Sequence, residues 1–367
     1  MKLGVLTSSR ADYGIYLPLL NKIKNDEFFD LEIIAFGTHL SRSHGYTLKD
    51  IKRDNYNCIH EISCLISNDS EESTASSYGL TVLKFADFWQ IHKYDLVLCL
   101  GDRFEMSAAI QGGIPFGVKF AHLHGGETTL GAIDNIYRHQ ITLASTLHFT
   151  ATDIFTEKVS NLIDSSKNVF TTGSLSLNDI KSFTPLEKQT FFEKFGIPQE
   201  NFILVTFHPE TMSAQDNFQY AAEMKKALKK IAKNRYIVIT MPNADTQGSI
   251  YREAIEKLKL QVPDRILLIE NFGKINYFSA MYYASILLGN TSSGILEAAS
   301  FGKYVVNVGD RQKGRAQSRN VINCEFEEKV IVSSVVKAIE SNVYTGENIY
   351  FRLNAADNII KIIKQFS

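Results

Sequence analysis

Short, continuous apolar runs recur along this chain, each closed by small polar or charged residues and followed by a stretch with helical spacing. In the first half these are KLGVLTS (2–8), LEIIAFG (31–37), CIHEIS (58–63), DLVLCLGDR (95–103), VKFAHLHGGE (118–127) and LHFTAT (147–152). In the second half the pattern restarts with FILVTFHPE (202–210), RYIVITMPN (235–243), RILLIEN (265–271), SILLG (285–289) and YVVNV (304–308). A run that does not alternate apolar with polar residues makes a strand needing cover on both faces. Strands of that kind, joined through helices, build a parallel sheet with helices on both sides. The helical stretches expected between them cover about 15–25, 46–53, 80–92, 134–146, 154–163, 215–233, 329–341 and 350–366. The Ser-rich stretch 66–80 reads as a loop.

The pattern lapses over 174–200, which is mixed, polar and contains Pro185 and Pro198. The domain junction is expected in the first half of that lapse. At 367 residues the chain exceeds one ordinary core and suits two. The expectation is an N-terminal domain of 1–178, completed by 350–367, and a C-terminal domain of 179–349. Ligands of open α/β sheets bind past the carboxyl ends of the strands, so a crevice shared by the two sets of strand ends is the expected site.

Composition excludes several classes. Charged residues make up 22% and hydrophobic residues 44%, and the net charge is −1, so no basic footprint points to nucleic acid or an anionic membrane. No apolar run approaches the roughly 20 residues that span a bilayer. The N-terminus reaches Arg10 too soon for a signal peptide. The four cysteines, Cys58, Cys64, Cys99 and Cys324, show no CxxC or Cys/His spacing, which fits a reducing cytoplasm and no structural zinc. Cys99, inside DLVLCL, reads as a buried thiol. Neither GxGxxG nor GxxxxGK[ST] occurs, which disfavours nicotinamide cofactors and P-loop chemistry.

Chemistry is concentrated where strands end. Gly289 to Arg315 is the most informative stretch. An expected strand leads into Thr291, Ser292 and Ser293, a helix is expected to open at Gly294, and Glu297 follows one turn in. A helix N-terminus carries unpaired N–H groups and the positive end of the peptide dipole, so hydroxyls there can add donors to phosphate oxygens. Glu297 would accept from ribose hydroxyls, and Arg311 and Arg315 would neutralise a diphosphate. The same residues also describe an ordinary helix cap. Elsewhere the strand ends carry Arg10 and Asp12, Asp102 and Arg103, His124 and Glu127, then Asp134, Arg138 and His139. In the second half they carry His208 and Glu210, then Asn243 and Asp245. Asp134 and Asp102 each precede an expected helix, so capping competes with catalysis at both. His148, inside an apolar strand, reads as a satisfied structural histidine. Gly125–Gly126 reads as a tight turn.

Taken in order, SSRADYG, GDRFE, HLHGGE, IDNIYRH, TGSLSLND, FHPE, PNAD, GNTSSGILEA and VGDRQKGR resemble the UDP-N-acetylglucosamine 2-epimerases over nearly the whole chain, and within them the hydrolysing branch of sialic-type acid biosynthesis. The resemblance implies two Rossmann-like domains of the glycosyltransferase-B type, with the last helix packing back on the first domain and a homodimer or homotetramer. It implies that Thr291, Ser292, Ser293 and Gly294 meet the diphosphate and Glu297 the ribose. Arg10, Gly14, His208, Asn243, Asp245, Arg311 and Arg315 become substrate or nucleotide contacts, and the segment around Phe272 a uracil contact.

The implied reaction eliminates UDP from C1 with loss of the C2 proton, giving a 2-acetamidoglycal. Water then adds and releases the free sugar with C2 inverted. No metal and no cofactor is called for, because UDP is a good leaving group. Asp102, Glu127 and Asp134 become the acid/base set, supported by Arg138 and His139. Several hydrolysing relatives carry HIEGGE where this chain has HLHGGE. His124 therefore stands where their first glutamate stands, and the proton transfer falls to His124 or to Glu127. TTLGAIDN likewise replaces SGTIDD, which leaves UDP-N,N'-diacetylbacillosamine as a rival to UDP-GlcNAc. The same motifs also admit a non-hydrolysing epimerase or a glycosyltransferase of the same architecture.

Overall fold

The computed structural model describes residues 1–42, 45–66, 70–128, 130, 133–210, 214–242 and 248–366. The chain divides into two compact units. One comprises Met1–Glu127, Ile133–Asp179 and Tyr350–Ser367, and the other Thr128–Ala132 and Ile180–Ile349.

The first unit runs β1 (Lys2–Thr7), α1 (Arg10–Ile23), β2 (Asp30–Phe36), α2 (Leu48–Arg53), β3 (Cys58–Ile62), α3 (Glu71–Ile91) and β4 (Leu96–Leu100). It continues with α4 (Phe104–Gln111), β5 (Phe120–Leu123), α5 (Asp134–Ala144), β6 (Leu147–Thr150), α6 (Asp153–Leu162) and β7 (Val169–Thr171). Among the described residues these strands form a seven-stranded sheet in the order β3-β2-β1-β4-β5-β6-β7, and every pairing is parallel. The sheet is covered on both faces, as its unbroken apolar strands require. Leu3, Val5, Ile33 and Leu98 pack with Tyr16, Leu19 and Leu20 of α1 on one side. Leu6, Ile34, Val97 and Cys99 pack with Phe85, Phe88 and Trp89 of α3 on the other.

The second unit runs α7 (Lys188–Phe195), β8 (Phe202–Thr206), α8 (Asn217–Ile231), β9 (Tyr236–Thr240), α9 (Gly248–Gln261), β10 (Ile266–Ile269) and α10 (Lys274–Tyr283). Then come β11 (Leu287–Gly289), α11 (Ser292–Leu296), β12 (Val305–Val308), β13 (Val321–Cys324) and α12 (Glu328–Glu340). Its described strands form a parallel six-stranded sheet, β10-β9-β8-β11-β12-β13. The last helix, α13 (Ala355–Phe366), returns to the first unit. Ala355, Ala356, Ile359 and Ile363 enter the same core as α1, and the Ala356 N–H donates to Asn178 Oδ1 at 2.9 Å.

The structure departs from the sequence expectations at three places. Residues 71–80 are helical, not a loop. Ser70 caps α3 by accepting the Ser73 N–H, Glu71 and Glu72 complement the helix dipole, and Ser73 and Ser77 are buried. The helix after GNT opens at Ser292, not Gly294, and ends at Leu296, so Glu297 is its C-cap rather than a residue one turn in. Asp134 is the first residue of α5, not its cap, a position held by Ile133. Two strands, β7 and β13, went unread. Both are short, and only Val169 among their seven residues is fully buried.

Candidate functional site

Parallel strands all end on the same edge of their sheet, so the loops after β1, β4 and β5 meet. After β4, Gly101 turns the chain and Asp102 emerges with its side chain about one-quarter exposed. After β5, His124 holds a left-handed backbone (φ 64°), a conformation a non-glycine residue keeps only when its surroundings fix it. Both of its backbone groups are fixed. Its N–H donates to Phe149 O at 2.9 Å, and its carbonyl accepts from Arg138 Nη1 at 2.9 Å.

Arg138, on the inward face of α5 and 2% exposed, ties the group together. Its Nη2 donates to Asp102 Oδ2, and its Nη1 lies 3.9 Å from Glu127 Oε2. Glu127 Oε1 in turn meets His124 Nδ1 at 2.9 Å. That contact leaves His124 Nε2 buried and without a hydrogen-bond partner among the described residues. Buried polar atoms are normally paired, so this nitrogen, on a ring whose other nitrogen meets Glu127, is open to a hydrogen bond from outside the described residues.

Neighbours stiffen this cluster. His122 is buried and held neutral, its pKa pushed down to about 3 by burial. Its Nδ1 meets Thr142 Oγ1 and its Nε2 reaches the Gly101 carbonyl at 2.9 Å. That bond fixes the turn before Asp102. Arg103 makes a two-pronged pair with the buried Glu105 at 2.8 and 3.2 Å. Asp12 accepts from the Ser8 N–H and hydroxyl, and burial raises its pKa.

The other predicted residues of this unit lie around the cluster to different degrees. Arg10 is exposed at the first turn of α1, with Gly14 one turn on. Asp134 begins α5 and is half-buried. His139 is half-buried, and its pKa is lowered by burial and then by Arg138 and Lys158. His148 is buried, but its Nδ1 has no partner among the described residues, so it is structural without being fully satisfied. Cys99 is buried, and burial lifts its thiol to about 12.

The strand ends of the second unit are furnished otherwise. Gly289 brings β11 so close to β8 that a Cβ there would lie 1.8 Å from the Thr206 carbonyl. No other residue fits. Asn290 then brackets the turn after β8, accepting the His208 N–H at 2.8 Å and donating to the His208 carbonyl at 2.9 Å. Gln312 donates to the Asn290 carbonyl at 2.9 Å. Glu210 accepts the Asp310 N–H at 2.7 Å, and burial raises its pKa. These bonds position the loop carrying Arg311 and Arg315, both half-buried, beside a cleft of about 390 Å³ that Arg315, Lys313 and Asp310 help to line.

Thr291 to Glu297 form a rim in which Ser292 is exposed, Thr291, Ser293 and Glu297 are half-buried, and Gly294 is buried. Behind it sits Tyr277, its pKa pushed up to about 12 by burial. The Phe272 ring packs inside the core, 4.7 Å from the Phe195 ring and 5.9 Å from that of Phe191, so the ring itself does not face a ligand. Asn243 and Asp245 lie outside the described residues. Asn290 and Gln312 escaped the sequence reading, although both stand inside the stretch it singled out. A side chain that bonds only main chain leaves no sign in spacing.

The family model described as UDP-N-acetylglucosamine 2-epimerase matches residues 21–364. The chain is 34% identical over 328 residues to GDP/UDP-N,N'-diacetylbacillosamine 2-epimerase (hydrolyzing) of Campylobacter jejuni, covering 89% of this chain and 84% of that protein. It is 31% identical to polysialic acid biosynthesis protein P7 of Escherichia coli, covering 100% of this chain and 94% of the other. It superposes on the crystal structure of UDP-GlcNAc 2-epimerase from Neisseria meningitidis bound to UDP-GlcNAc with a TM-score of 0.81, at 18% identity and over 100% of both chains. The fold is therefore the glycosyltransferase-B-like one of such enzymes. No described helix is long and apolar enough to cross a membrane.

Proposed function

The chain belongs to the UDP-N-acetylglucosamine 2-epimerase family, and from that premise we propose that it is a hydrolysing 2-epimerase of a UDP-2-acetamido sugar. The leading substrate is UDP-GlcNAc, with ManNAc and UDP as products for sialic-type acid synthesis. The observation that carries the reading is the Asp102–Arg138–His124–Glu127 cluster, in which His124 Nε2 has no hydrogen-bond partner among the described residues.

A C2–H with no adjacent carbonyl is a very weak acid, so cleavage of the C1–O bond must run ahead of proton loss. UDP leaves with the bonding electron pair, and cationic and N–H donors stabilise it. Thr291, Ser292 and Ser293 are the donors we assign to the diphosphate, with Gly294 beside them, Arg10, His208, Arg311 and Arg315 as further contacts, Glu297 on the ribose and Gly14 beside the sugar nucleotide. A carboxylate near C1 and C2 stabilises the oxocarbenium character and takes the C2 proton, forming the glycal. Asp102, the more exposed carboxylate of the cluster, suits that task. Hydration then places water oxygen on C1 and a proton on C2 from the opposite face. His124, protonated on both nitrogens with Glu127 accepting from Nδ1–H, supplies that proton through Nε2–H, and the attacking water gives up one of its own protons to solvent. Glu127 thus acts through His124, and Arg138 positions all three. Asp134 and His139 complete the acid/base set in this reading. No cofactor enters it.

Proton NMR in D2O tests the proposal. UDP-GlcNAc should give free ManNAc, deuterated at C2, plus UDP. A stable mixture with UDP-ManNAc would mean the non-hydrolysing reaction. Transfer to an added acceptor without epimerised sugar would mean a glycosyltransferase.

A second substrate has its own support. The Campylobacter jejuni relative is named for N,N'-diacetylbacillosamine, and TTLGAIDN stands where some relatives of the family carry SGTIDD. Turnover of UDP-N,N'-diacetylbacillosamine alone would keep the mechanism and change the sugar. The proposal includes a cytoplasmic homodimer or homotetramer, which cell fractionation and light scattering test.

A further inference from the structure

On the first unit, well away from Asp102 and His124, a second group of side chains converges. Glu32 of β2 and Cys58 and His60 of β3 project from the sheet face that α3 covers. Glu32 is on the N-terminal half of its strand, whereas Asp102 and His124 lie past the C-terminal ends of β4 and β5. Parallel register sets Glu32 beside Cys58 and Ile34 beside His60, and the two-residue period of a strand turns Cys58 and His60 to one face. Both neighbours aim at one atom. His60 Nε2 lies 3.4 Å from Cys58 Sγ and 2.8 Å from Glu32 Oε2, and the three ligating atoms fall within 4.8 Å of one another. A single imidazole proton serves two such partners poorly. One divalent cation serves all three.

We propose that Glu32, Cys58 and His60 bind a thiophilic divalent cation of the zinc class. Thiolate, imidazole and carboxylate are the ordinary zinc ligands, at about 2.3, 2.0 and 2.1 Å, and a tetrahedron with such bonds has edges of about 3.3–3.7 Å. The observed spacing reaches that with a small rotation of Glu32 away from His60. Three protein ligands leave a fourth position to water. His92 stands beside the group, its ring centroid 4.5 Å from that of His60 and 4.4 Å from that of Phe88, as a further nitrogen donor. The group is reachable, since the Glu32 and His60 side chains keep 11% and 19% of their exposure.

Two residues act against the cation and one prepares for it. Lys2 Nζ pairs with Glu32 Oε1 at 2.9 Å, so the cation must displace an ammonium. Tyr94 donates to Glu32 Oε2 at 2.6 Å and must release or share that oxygen. Gly4 leaves room for this arrangement, because a Cβ there would meet the Tyr94 ring at 3.1 Å. Binding releases the Cys58 thiol proton as the thiolate–metal bond forms. Since β3 is the edge strand of its sheet, the ion would pin that edge to β2.

The test is a titration of the chelator-treated full chain with cobalt(II) and then zinc(II). A near-ultraviolet thiolate-to-cobalt band saturating at one cobalt per chain, quenched by zinc, is expected. Zinc should raise the melting temperature in a concentration-dependent way. Cys58→Ser and His60→Asn should each abolish the band and weaken zinc by about 100-fold or more. Lys2→Met should tighten zinc about 5-fold by removing the competing ammonium. That gain separates a metal site from a mere hydrogen-bond network, because misfolding cannot produce it. No band and no zinc-dependent melting shift in the folded protein would overturn the proposal, as would a band that survives Cys58→Ser. Unchanged zinc affinity in Lys2→Met would take Glu32 out of the site and overturn it in this form.

Discussion

In the first unit the residues past β4 and β5 are ionisable and packed against one another, as with Asp102, Arg138, His124 and Glu127. In the second unit the residues past β8, β11 and β12 hold one another mainly through neutral amides and main chain, as with Asn290, Gln312 and the His208 turn. Both sets stand at the carboxyl edge of a parallel sheet, so position alone does not explain the difference. Moving a proton needs groups whose charge can change, and confining them away from water makes each neighbour decisive. Holding a diphosphate needs fixed donors that do not change, and amide and main-chain bonds, with the buried Glu210 beside them, supply that framework. Each of the following measurements sets one unit against the other.

The largest effect is expected at Asp102. Asp102→Asn keeps the shape and removes the charge, so turnover should fall by about 10³-fold while UDP affinity stays within a few fold. Equilibrium binding of UDP beside single-turnover kinetics separates the two readouts. If UDP binding collapsed with activity, the division between a proton-moving and a nucleotide-holding unit would be wrong.

Arg138→Met comes next. It strips the buried guanidinium from Asp102 and Glu127 and should cost about 3 kcal/mol of stability, together with activity. Arg311→Met, at a half-buried position on the second unit, should cost about 1 kcal/mol or less. Chemical denaturation of both variants checks this, and equal losses would erase the contrast.

Acid separates the units in a third way. His39, His122 and His148 are all buried in the first unit, and burial lowers their pKa values to about 4, about 3 and about 4 from 6.5. His92 and His139 of the same unit shift in the same direction. Below pH 6.5 the unfolded chain takes up protons that the folded unit refuses, so stability falls as pH drops from 6.5 toward 4. At about pH 6 each of the three valued histidines should cost roughly 0.8 kcal/mol, about 2.5 kcal/mol together. Hydrogen exchange, corrected for its intrinsic pH dependence, should show Leu98 and Leu123 losing protection before Leu204 and Leu288. Simultaneous loss would mean that the histidines do not set the acid response.

How much of this could be read from the chain follows the same physics. The strands and their functional ends were legible because a buried parallel strand must be apolar throughout, so GDR, HLHGGE and GNTSS stood out at its end. The start of α3 was not. Serines at 70, 73, 76 and 77 look like loop residues until burial and the Ser70 cap are known. Strands β7 and β13, of three and four residues, are too short to carry the signal. Within the site, the residue types were legible and their partners were not. Nothing in HLHGGE says that Glu127 turns back onto His124 Nδ1, because that depends on the left-handed backbone at His124. The Glu32–Cys58–His60 convergence likewise depends on strand register, which an unbroken apolar run does not encode.

The smallest effect tests the second unit by itself. Ser292 is the exposed hydroxyl at the first turn of α11, just past the close approach at Gly289. If it donates to a diphosphate oxygen, Ser292→Ala removes one charge-assisted hydrogen bond and should weaken UDP by roughly 1–2 kcal/mol. Because the hydroxyl is exposed, the variant should lose almost nothing in stability, and because UDP is bound before the chemical step, saturating substrate should restore most of the turnover. The Asp102→Asn variant should show the reverse, with affinity kept and saturated turnover lost. Titration calorimetry with UDP on both variants therefore places each residue on one side of the comparison. Unchanged UDP affinity in Ser292→Ala would take that hydroxyl off the diphosphate and leave Thr291 and Ser293 to hold it.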